Sequence, residues 1–242
     1  MRRVTALFAH PDDETFATGA TLARYADEGV RCSLYCATDG DAGRPSGIPV
    51  SSRAELGALR RDELREACAV IGVASVTHGG HPDGALASVD ADVVIAELVQ
   101  LVRDERPDVV LTFGPEGAPN GHRDHKVMSR LATAAFHLAG THTAFPDQLR
   151  DGRTPHRAAR LCYVTWPAGL EPTIEGQPVH VAIPLDRWRD RKVAAFEAHR
   201  TQHQHRASFE QHALRGHEWY FVASGVPVSG TAPCPCLFAG LP

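Results

Sequence analysis

Short apolar runs alternate along the first 140 residues with longer segments in which apolar residues recur at helical spacing. The apolar runs predict strands over Val4–Phe8, Val30–Ala37, Ser75–His78 and Val109–Phe113. The segments between and after them predict helices over Thr15–Glu28, from Ser51 or Ser52 to about Ile71, over Ala91–Glu105, and ending near Leu138. This alternation predicts an α/β fold, a doubly wound and mostly parallel sheet of Rossmann type with helices on both faces.

The pattern changes after residue 140, where a surface loop is predicted up to residue 159. Further strands are predicted over Leu161–Thr165, Val179–Ile183 and Glu218–Ala223, with a helix from Leu185 to about Thr201. No repeat and no low-complexity linker separates the two parts. We therefore expect a single domain over residues 1–242, with a Rossmann-like core at 1–140 and a C-terminal elaboration at 141–242.

Composition excludes several classes of protein. The 242 residues can bury a sizeable core, and a formal net charge of −4 with scattered basic residues argues against a nucleic-acid partner. No apolar run approaches the ~20 residues that cross a bilayer, and the N-terminus enters the first strand without a signal-peptide pattern. We expect a cytoplasmic protein with a small-molecule partner. The oligomeric state is not encoded in any readable pattern, and a homo-oligomer is compatible with the sequence.

The first strand is followed directly by Ala9–Glu14, with the sequence AHPDDE. Three carboxylates and an imidazole this close repel and desolvate one another unless a cation joins them. Within this one turn, His10 and Asp13 are close enough to share a metal ion. The interpretation without a metal is a solvated loop, and it stays open while the motif is considered alone.

A second motif, HRDH, begins the helix after the strand Val109–Phe113. Its histidines, His122 and His125, are three residues apart and face the same way. Because the carboxyl ends of parallel strands share one edge of a sheet, the two motifs predict one divalent metal site. Its ligands are His10, Asp13 and either His122 or His125, with an open position for water.

The remaining groups of the two motifs suit acid–base chemistry. Asp12 and the histidine that is not a ligand have the properties of a general base and a general acid. Asp124 can hold the second nitrogen of an imidazole and fix its tautomer. Two imidazoles and a carboxylate suit Zn²⁺, although open sites of this kind also bind Fe²⁺. Metal-assisted hydrolysis is therefore the expected reaction type.

These paired motifs, AHPDDE and HRDH, resemble the LmbE/PIG-L superfamily of metal-dependent N-deacetylases. Its members remove acetyl groups from N-acetylglucosamine conjugates, including precursors of mycothiol and bacillithiol. The resemblance implies that His10, Asp13 and His125 are the ligands and that Asp12 is the base. It also implies that His122, oriented by Asp124, protonates the leaving amine or stabilises the oxyanion. Arg123 departs from the family, since many relatives have proline there.

Weaker matches extend the resemblance along nearly the whole chain. Arg60, in R-x-x-E-L, resembles a substrate-contacting arginine, and Asp83 before Gly84 resembles a substrate-side aspartate. Lys192 with His199 and Gln202 is similar to the family's C-terminal K-x-x-A…H-x-x-Q helix. From the residues alone, Arg60 is equally well a helix-surface charge and Asp83 a turn residue.

Several residues have plainer interpretations. His205, His212 and His217 are expected to be surface or packing residues. Asp39 and Asp41 line the pocket or belong to a solvated turn, with equal weight. Glu14 is expected to support the site, through the dipole of the next helix or a contact to a ligand. Substrate specificity is expected to depend on the loops at 40–52 and 140–160.

The leading function is an N-deacetylase that acts on an amino-sugar conjugate. An amidase that cleaves thiol S-conjugates needs the same catalytic set with a different pocket. A metal-stabilised sugar-binding module without turnover is the third hypothesis. A non-catalytic protein is expected to have lost Asp12 or His122, and this chain retains both.

Overall fold

The computed structural model describes residues 1–170, 174–230 and 232–242. Its strands are β1 Arg3–Phe8, β2 Arg31–Thr38, β3 Ser75–His81, β4 Val109–Phe113, β5 Arg160–Thr165, β6 Val181–Pro184 and β7 His217–Gly225. They form one sheet in the order β3-β2-β1-β4-β5-β7-β6. Strands β1 to β5 are parallel, and β7 is antiparallel to both β5 and β6. The predicted fold, an α/β protein with a mostly parallel sheet, is confirmed.

The helices are α1 Asp13–Asp27, α2 Arg53–Ile71, α3 Ala91–Glu105, α4 Arg123–Leu138, α5 Pro146–Arg150, α6 Arg189–Ala198 and the short α7 Arg206–Ser208, which a π-helical turn at Phe209–Ala213 follows. Helix α2 begins where predicted, because the Ser52 side chain accepts a hydrogen bond from the Glu55 N–H. It ends at Gly72, whose φ of 95° is the left-handed conformation that favours glycine.

The C-terminal part differs from the prediction in three places, one of which is the helical segment of α7 and the π-helical turn, where no helix was predicted. The predicted loop at 140–159 contains the short helix α5. The helix predicted from Leu185 to Thr201 is shorter, since α6 is flanked by 3₁₀ turns at Asp186–Trp188 and Arg200–His205. The second of these turns begins where His199 and Thr201 bond to buried glutamates of the N-terminal part.

The arrangement of strands decides where chemistry can take place. The central strands β1 and β4 are neighbours, with Val4 opposite Val109, and both lie in the buried core. The order in which strands are added to the sheet reverses at this pair, since β2 and β3 extend it on one side and β5 on the other. In open α/β sheets, ligands bind at such a switch point outside the carboxyl ends of the strands. Both sequence motifs leave the sheet there. Within 1–170, 174–230 and 232–242, no helix is long and apolar enough to cross a membrane.

Candidate metal centre and active site

Three side chains from the two motifs converge at the switch point. His10 Nδ1 lies 3.2 Å from His125 Nε2. The Asp13 carboxylate faces both nitrogens, with Oδ2 3.4 Å from His10 Nδ1 and Oδ1 3.2 Å from His125 Nε2. The three residues are buried. A tetrahedral metal ion with bonds of ~2.0–2.1 Å holds its ligand atoms about 3.3 Å apart. The spacing of the two nitrogens therefore fits one divalent ion, and the Asp13 carboxylate lies beside both of them.

The second nitrogen of each of these histidines is also held. His125 Nδ1 lies 2.9 Å from the Ala118 carbonyl oxygen, so the ring carries its proton there and keeps the Nε2 lone pair. His10 Nε2 lies 3.2 Å from Asp83 and 3.4 Å from Asp124. Both rings thus direct one unprotonated nitrogen toward the same point, as metal ligation requires.

Two other groupings have atoms within 4.8 Å of one another, namely His10 with His122 and His125, and His10 with Asp83 and Asp124. The two carboxylates of the second grouping face His10 Nε2, on the opposite side of the ring from Asp13. They are placed to orient His10 rather than to share its metal. Asp83 was expected to contact substrate. It lines the cavity, and it also contacts a candidate ligand.

The structure corrects the expected role of Asp124. Its carboxylate accepts hydrogen bonds from the Gly84 and Leu86 N–H groups and lies beside His10, not His122. His122 is held by the backbone of Asp124, whose N–H donates to His122 Nδ1 at 3.2 Å. Burial, with His10 and His125 nearby, lowers the pKa of His122. The neutral ring therefore carries its proton on Nε2.

Asp12 lies beside the candidate metal ligands without contacting His10 or His125. Its Oδ2 accepts a hydrogen bond from the Arg60 guanidinium at 3.1 Å. Burial raises the pKa of the Asp12 carboxyl, and the Arg60 charge offsets part of that increase. Arg60 was expected to contact substrate. It does line the cavity, but its guanidinium also donates to the carbonyls of Pro11 and Gly40.

A cavity of about 600 Å³ opens over these residues. Its far wall comes from the C-terminal part and is aromatic and histidine-rich, with Trp166, Leu170, His205, His212, His217 and Trp219. As predicted, these histidines are at the surface, since His205 and His217 are exposed and His212 is half-buried, and all three also line the cavity. The position of His217 at the cavity could not be predicted from the sequence, because it depends on β7 running antiparallel and starting at the edge that carries the site.

The two loops that were expected to set substrate specificity differ in whether they line the cavity. The loop at 40–52 contributes Ala42 and Gly43 to the cavity wall, whereas residues 140–160 contribute nothing to it. Asp39 and Asp41 are not among the lining residues. Each forms an ion pair instead, Asp39 with Arg61 and Asp41 with Arg53.

Residues 5–136 match the family described as PIG-L, GlcNAc-PI de-N-acetylase. This stretch covers more than half of the chain and includes both motifs. The chain belongs to the PIG-L family. The predicted family and the predicted enzyme class, an N-deacetylase, are therefore confirmed.

Curated relatives carry the name 1D-myo-inositol 2-acetamido-2-deoxy-alpha-D-glucopyranoside deacetylase. The one from Salinispora arenicola is 31% identical, with an alignment that covers 100% of this chain and 92% of that protein. The one from Rhodococcus opacus is 33% identical over 70% of this chain and 64% of that protein. The chain thus spans slightly less than two thirds of the Rhodococcus protein.

Solved structures show the same fold. The N,N'-diacetylchitobiose deacetylase from Pyrococcus horikoshii is 21% identical, covers 91% of this chain and 83% of its own, and has a TM-score of 0.76. The 4-carboxy-2-hydroxymuconate hydratase from Pseudomonas putida is 18% identical, covers 96% and 100%, and has a TM-score of 0.80. Because this fold carries a second type of reaction, the fold alone does not assign the activity. Membership of the family and the names of the curated relatives support the deacetylase activity.

Proposed function

We propose that the protein hydrolyses the N-acetyl group of an N-acetylglucosamine conjugate with one divalent metal ion, held by His10, Asp13 and His125. The observation that carries the proposal is the convergence of His10, Asp13 and His125 near Asp12, whose Oδ2 binds Arg60 and whose Oδ1 is left to act as a base. Zn²⁺ is the first candidate and Fe²⁺ the second. When bound, such an ion would polarise the acetyl carbonyl and lower the pKa of a water molecule toward ~7.

The side chains around the metal site have separate roles in the reaction. Asp12 uses Oδ2 to hold Arg60 and has Oδ1 left to accept a proton from the attacking water. Its raised pKa, which results from burial, makes it a stronger base than an exposed aspartate. As the water oxygen bonds to the acetyl carbon and the C–N bond breaks, the same carboxyl returns the proton to the departing amine. Acetate and a free amine result.

His122 suits a different role in this reaction. With Nδ1 accepting the Asp124 N–H, the neutral ring presents Nε2–H as a donor on the cavity side. A donor held in place before reaction stabilises the oxygen on which negative charge develops. We therefore assign His122 to the oxyanion and Asp12 to proton transfer.

The shape of the cavity supports a substrate larger than one amino sugar. The candidate metal ligands and Asp12 follow the ends of β1 and β4, whereas Trp166 and Trp219 lie at the ends of β5 and β7. Three strand spacings of ~4.8 Å separate β1 from β7, or about 14 Å. Two indoles offer flat apolar surface to a ring. We infer that the group attached to the sugar is a ring that packs there, as inositol would in the substrates for which the curated relatives are named.

The test is release of acetate and free amine from N-acetylglucosaminyl-inositol and other N-acetylglucosamine conjugates, with bound metal measured in the same sample. Asp12→Asn is expected to lower kcat by roughly 10²–10⁴-fold and to retain the metal, because Asp12 is not a ligand. Asp39→Asn changes a carboxylate outside the cavity wall and is the matched control, expected to match the wild type.

Two results would contradict the proposal. Turnover by metal-loaded Asp12→Asn at the wild-type rate would remove Asp12 from the base role. Metal-loaded wild type that releases no acetate from any N-acetylglucosamine conjugate, but cleaves a thiol S-conjugate amide, would favour the amidase hypothesis instead.

The remaining properties stay predictions from the sequence. They are a location in the cytoplasm, a possible homo-oligomer, and the organisation of residues 1–242 as one domain with a core at 1–140. A small-molecule amino-sugar partner is what the cavity and the relatives support.

A further inference from the structure

The backbone of Asp12 has an unusual conformation. Its φ is 103° and its ψ is −27°, on the positive-φ side where residues other than glycine rarely lie. Such a residue costs on the order of 1–3 kcal/mol and persists only where its surroundings hold it. The conformation belongs to the residue proposed as the base, so whatever holds it also aims the base.

Both polar groups of the Pro11–Asp12 peptide are held from outside the strand. The Pro11 carbonyl accepts a hydrogen bond from the Arg60 guanidinium at 2.5 Å, and the Asp12 N–H donates to Glu14 Oε2 at 3.0 Å. Arg60 also binds the Asp12 carboxylate. The peptide plane is therefore fixed between a cation on one side and an anion on the other.

Glu14 needs a partner of its own, because its side chain is 1% exposed and an unpaired buried carboxylate is strongly unfavourable. Its Oε1 accepts a hydrogen bond from the Thr15 hydroxyl and lies 2.7 Å from His199 Nε2. His199 is fully buried, follows α6 directly, and lies 185 residues further along the chain. The C-terminal part thus supplies the counterpart of a side chain in the first motif.

The candidate metal ligands are held by other contacts. Asp13 Oδ2 accepts the N–H groups of Ala9 and His10, and His125 Nδ1 is held at the Ala118 carbonyl. None of these contacts includes Glu14 or His199. A change at His199 therefore reaches Asp12 through Glu14 and leaves the ligands' own supports in place.

We propose that His199 is a positioning residue, which acts through Glu14 to hold the Pro11–Asp12 peptide in the positive-φ conformation that aims the Asp12 carboxylate. The C-terminal part then completes the catalytic loop of the N-terminal core, in addition to forming the cavity wall. This inference rests on the proposed role of Asp12 and not on the identity of the substrate.

The test compares His199→Leu, which removes the ring nitrogen, with His199→Gln, whose amide N–H can still reach a carboxylate. Since a misplacement of ~1 Å can cost about 10²-fold in rate, His199→Leu is expected to lower kcat by roughly 10–100-fold. KM and bound metal are expected to stay within about twofold of the wild type, and His199→Gln to recover most of the rate. Tyr220→Phe is the matched control, because it removes a buried hydrogen bond from β7 to Thr21 of α1. It is expected to lower Tm and leave kcat unchanged.

His199→Leu leaves the buried Glu14 carboxylate without its partner and can destabilise the fold. A double-mutant cycle with Glu14→Gln controls for this effect, because Glu14→Gln removes the buried charge. If the two residues act in series, the double variant has the kcat of the slower single variant, not the product of both losses. Folded, metal-loaded His199→Leu with wild-type kcat would overturn the inference. So would losses of kcat and bound metal in parallel, or multiplicative losses in the cycle. Failure of the proposed function is a separate result, namely an inactive wild type.

Discussion

The choice between the two nitrogens of each histidine decides what the site can do. His10 has Nδ1 beside Asp13 and His125, and Nε2 beside Asp83 and Asp124. The two carboxylates at Nε2 keep a proton on that nitrogen. They leave Nδ1 as the ligand atom.

These two carboxylates provide a prediction at the residue scale. Asp83→Asn and Asp124→Asn are each expected to weaken metal binding, and the double variant to weaken it by about 10–100-fold, because His10 loses the charged acceptors that orient it. Competition with a chelator measures the affinity. Asp62→Asn is the control, since it alters an exposed ion pair with Arg65 outside the cavity wall. Unchanged affinity in the double variant would show that His10 does not depend on them.

Elements with local start and stop signals were the most predictable part of the fold. Helix α2 was placed correctly because Ser52 caps its first turn and Gly72 ends its last one, and both signals act within a few residues. The helix from Leu185 was predicted too long. Its end at Ala198 coincides with bonds from His199 and Thr201 to Glu14 and Glu63, which no local pattern reveals.

Two glycines that end helices give a prediction at the element scale. Gly72 and Gly29 both have positive φ, of 95° and 77°. A Cβ at Gly72 would lie 2.8 Å from the Ala26 Cβ, whereas a Cβ at Gly29 meets nothing within 4 Å. Gly29→Ala should therefore cost about 1–2 kcal/mol for the backbone alone. Gly72→Ala should cost a further 1–3 kcal/mol or so for the overlap.

Urea unfolding of both variants measures this difference. Equal losses of unfolding free energy would mean that α1 and α2 move apart without cost, against the close packing expected of a buried interface.

At the scale of the whole molecule, Arg160 joins the sheet to the C-terminal tail. Its side chain is fully buried at the start of β5. The guanidinium donates to four carbonyls of the tail, those of Val226, Pro227, Leu237 and Ala239. The tail in turn reaches α1, where the Leu237 N–H donates to the Tyr25 hydroxyl. Arg160 thus holds the tail, and the tail makes the contact with α1.

Arg160→Met is expected to lower the free energy of unfolding by at least about 3 kcal/mol, because four buried acceptors lose a charged donor. Arg160→Lys should recover only part of this, since an ammonium group cannot reproduce the guanidinium fork. Arg65→Met, which alters an exposed ion pair with Asp62, is the control and should change stability by less than about 0.5 kcal/mol. A small effect of Arg160→Met would mean that the tail is not part of the folded unit.

The proposal of a single domain has its own test. All three tryptophans, Trp166, Trp188 and Trp219, lie beyond residue 140, whereas the parallel core lies mostly before it. Tryptophan fluorescence and far-ultraviolet circular dichroism therefore report on different parts. One domain should give coincident unfolding transitions from the two probes. Separated transitions would divide the chain near residue 140.

The sequence by itself determined the β–α alternation, the caps of α2, and the placement of the two motifs after β1 and β4. Those features depend on local periodicity and on the rule that parallel strands end at one edge. Only the tertiary structure decided that Asp124 faces His10, that His199 supports Glu14, and that β7 forms the far wall of the cavity. Each of these depends on contacts between residues more than a hundred positions apart, or on the direction of a strand. A local sequence pattern reveals neither the long-range contacts nor the direction of a strand.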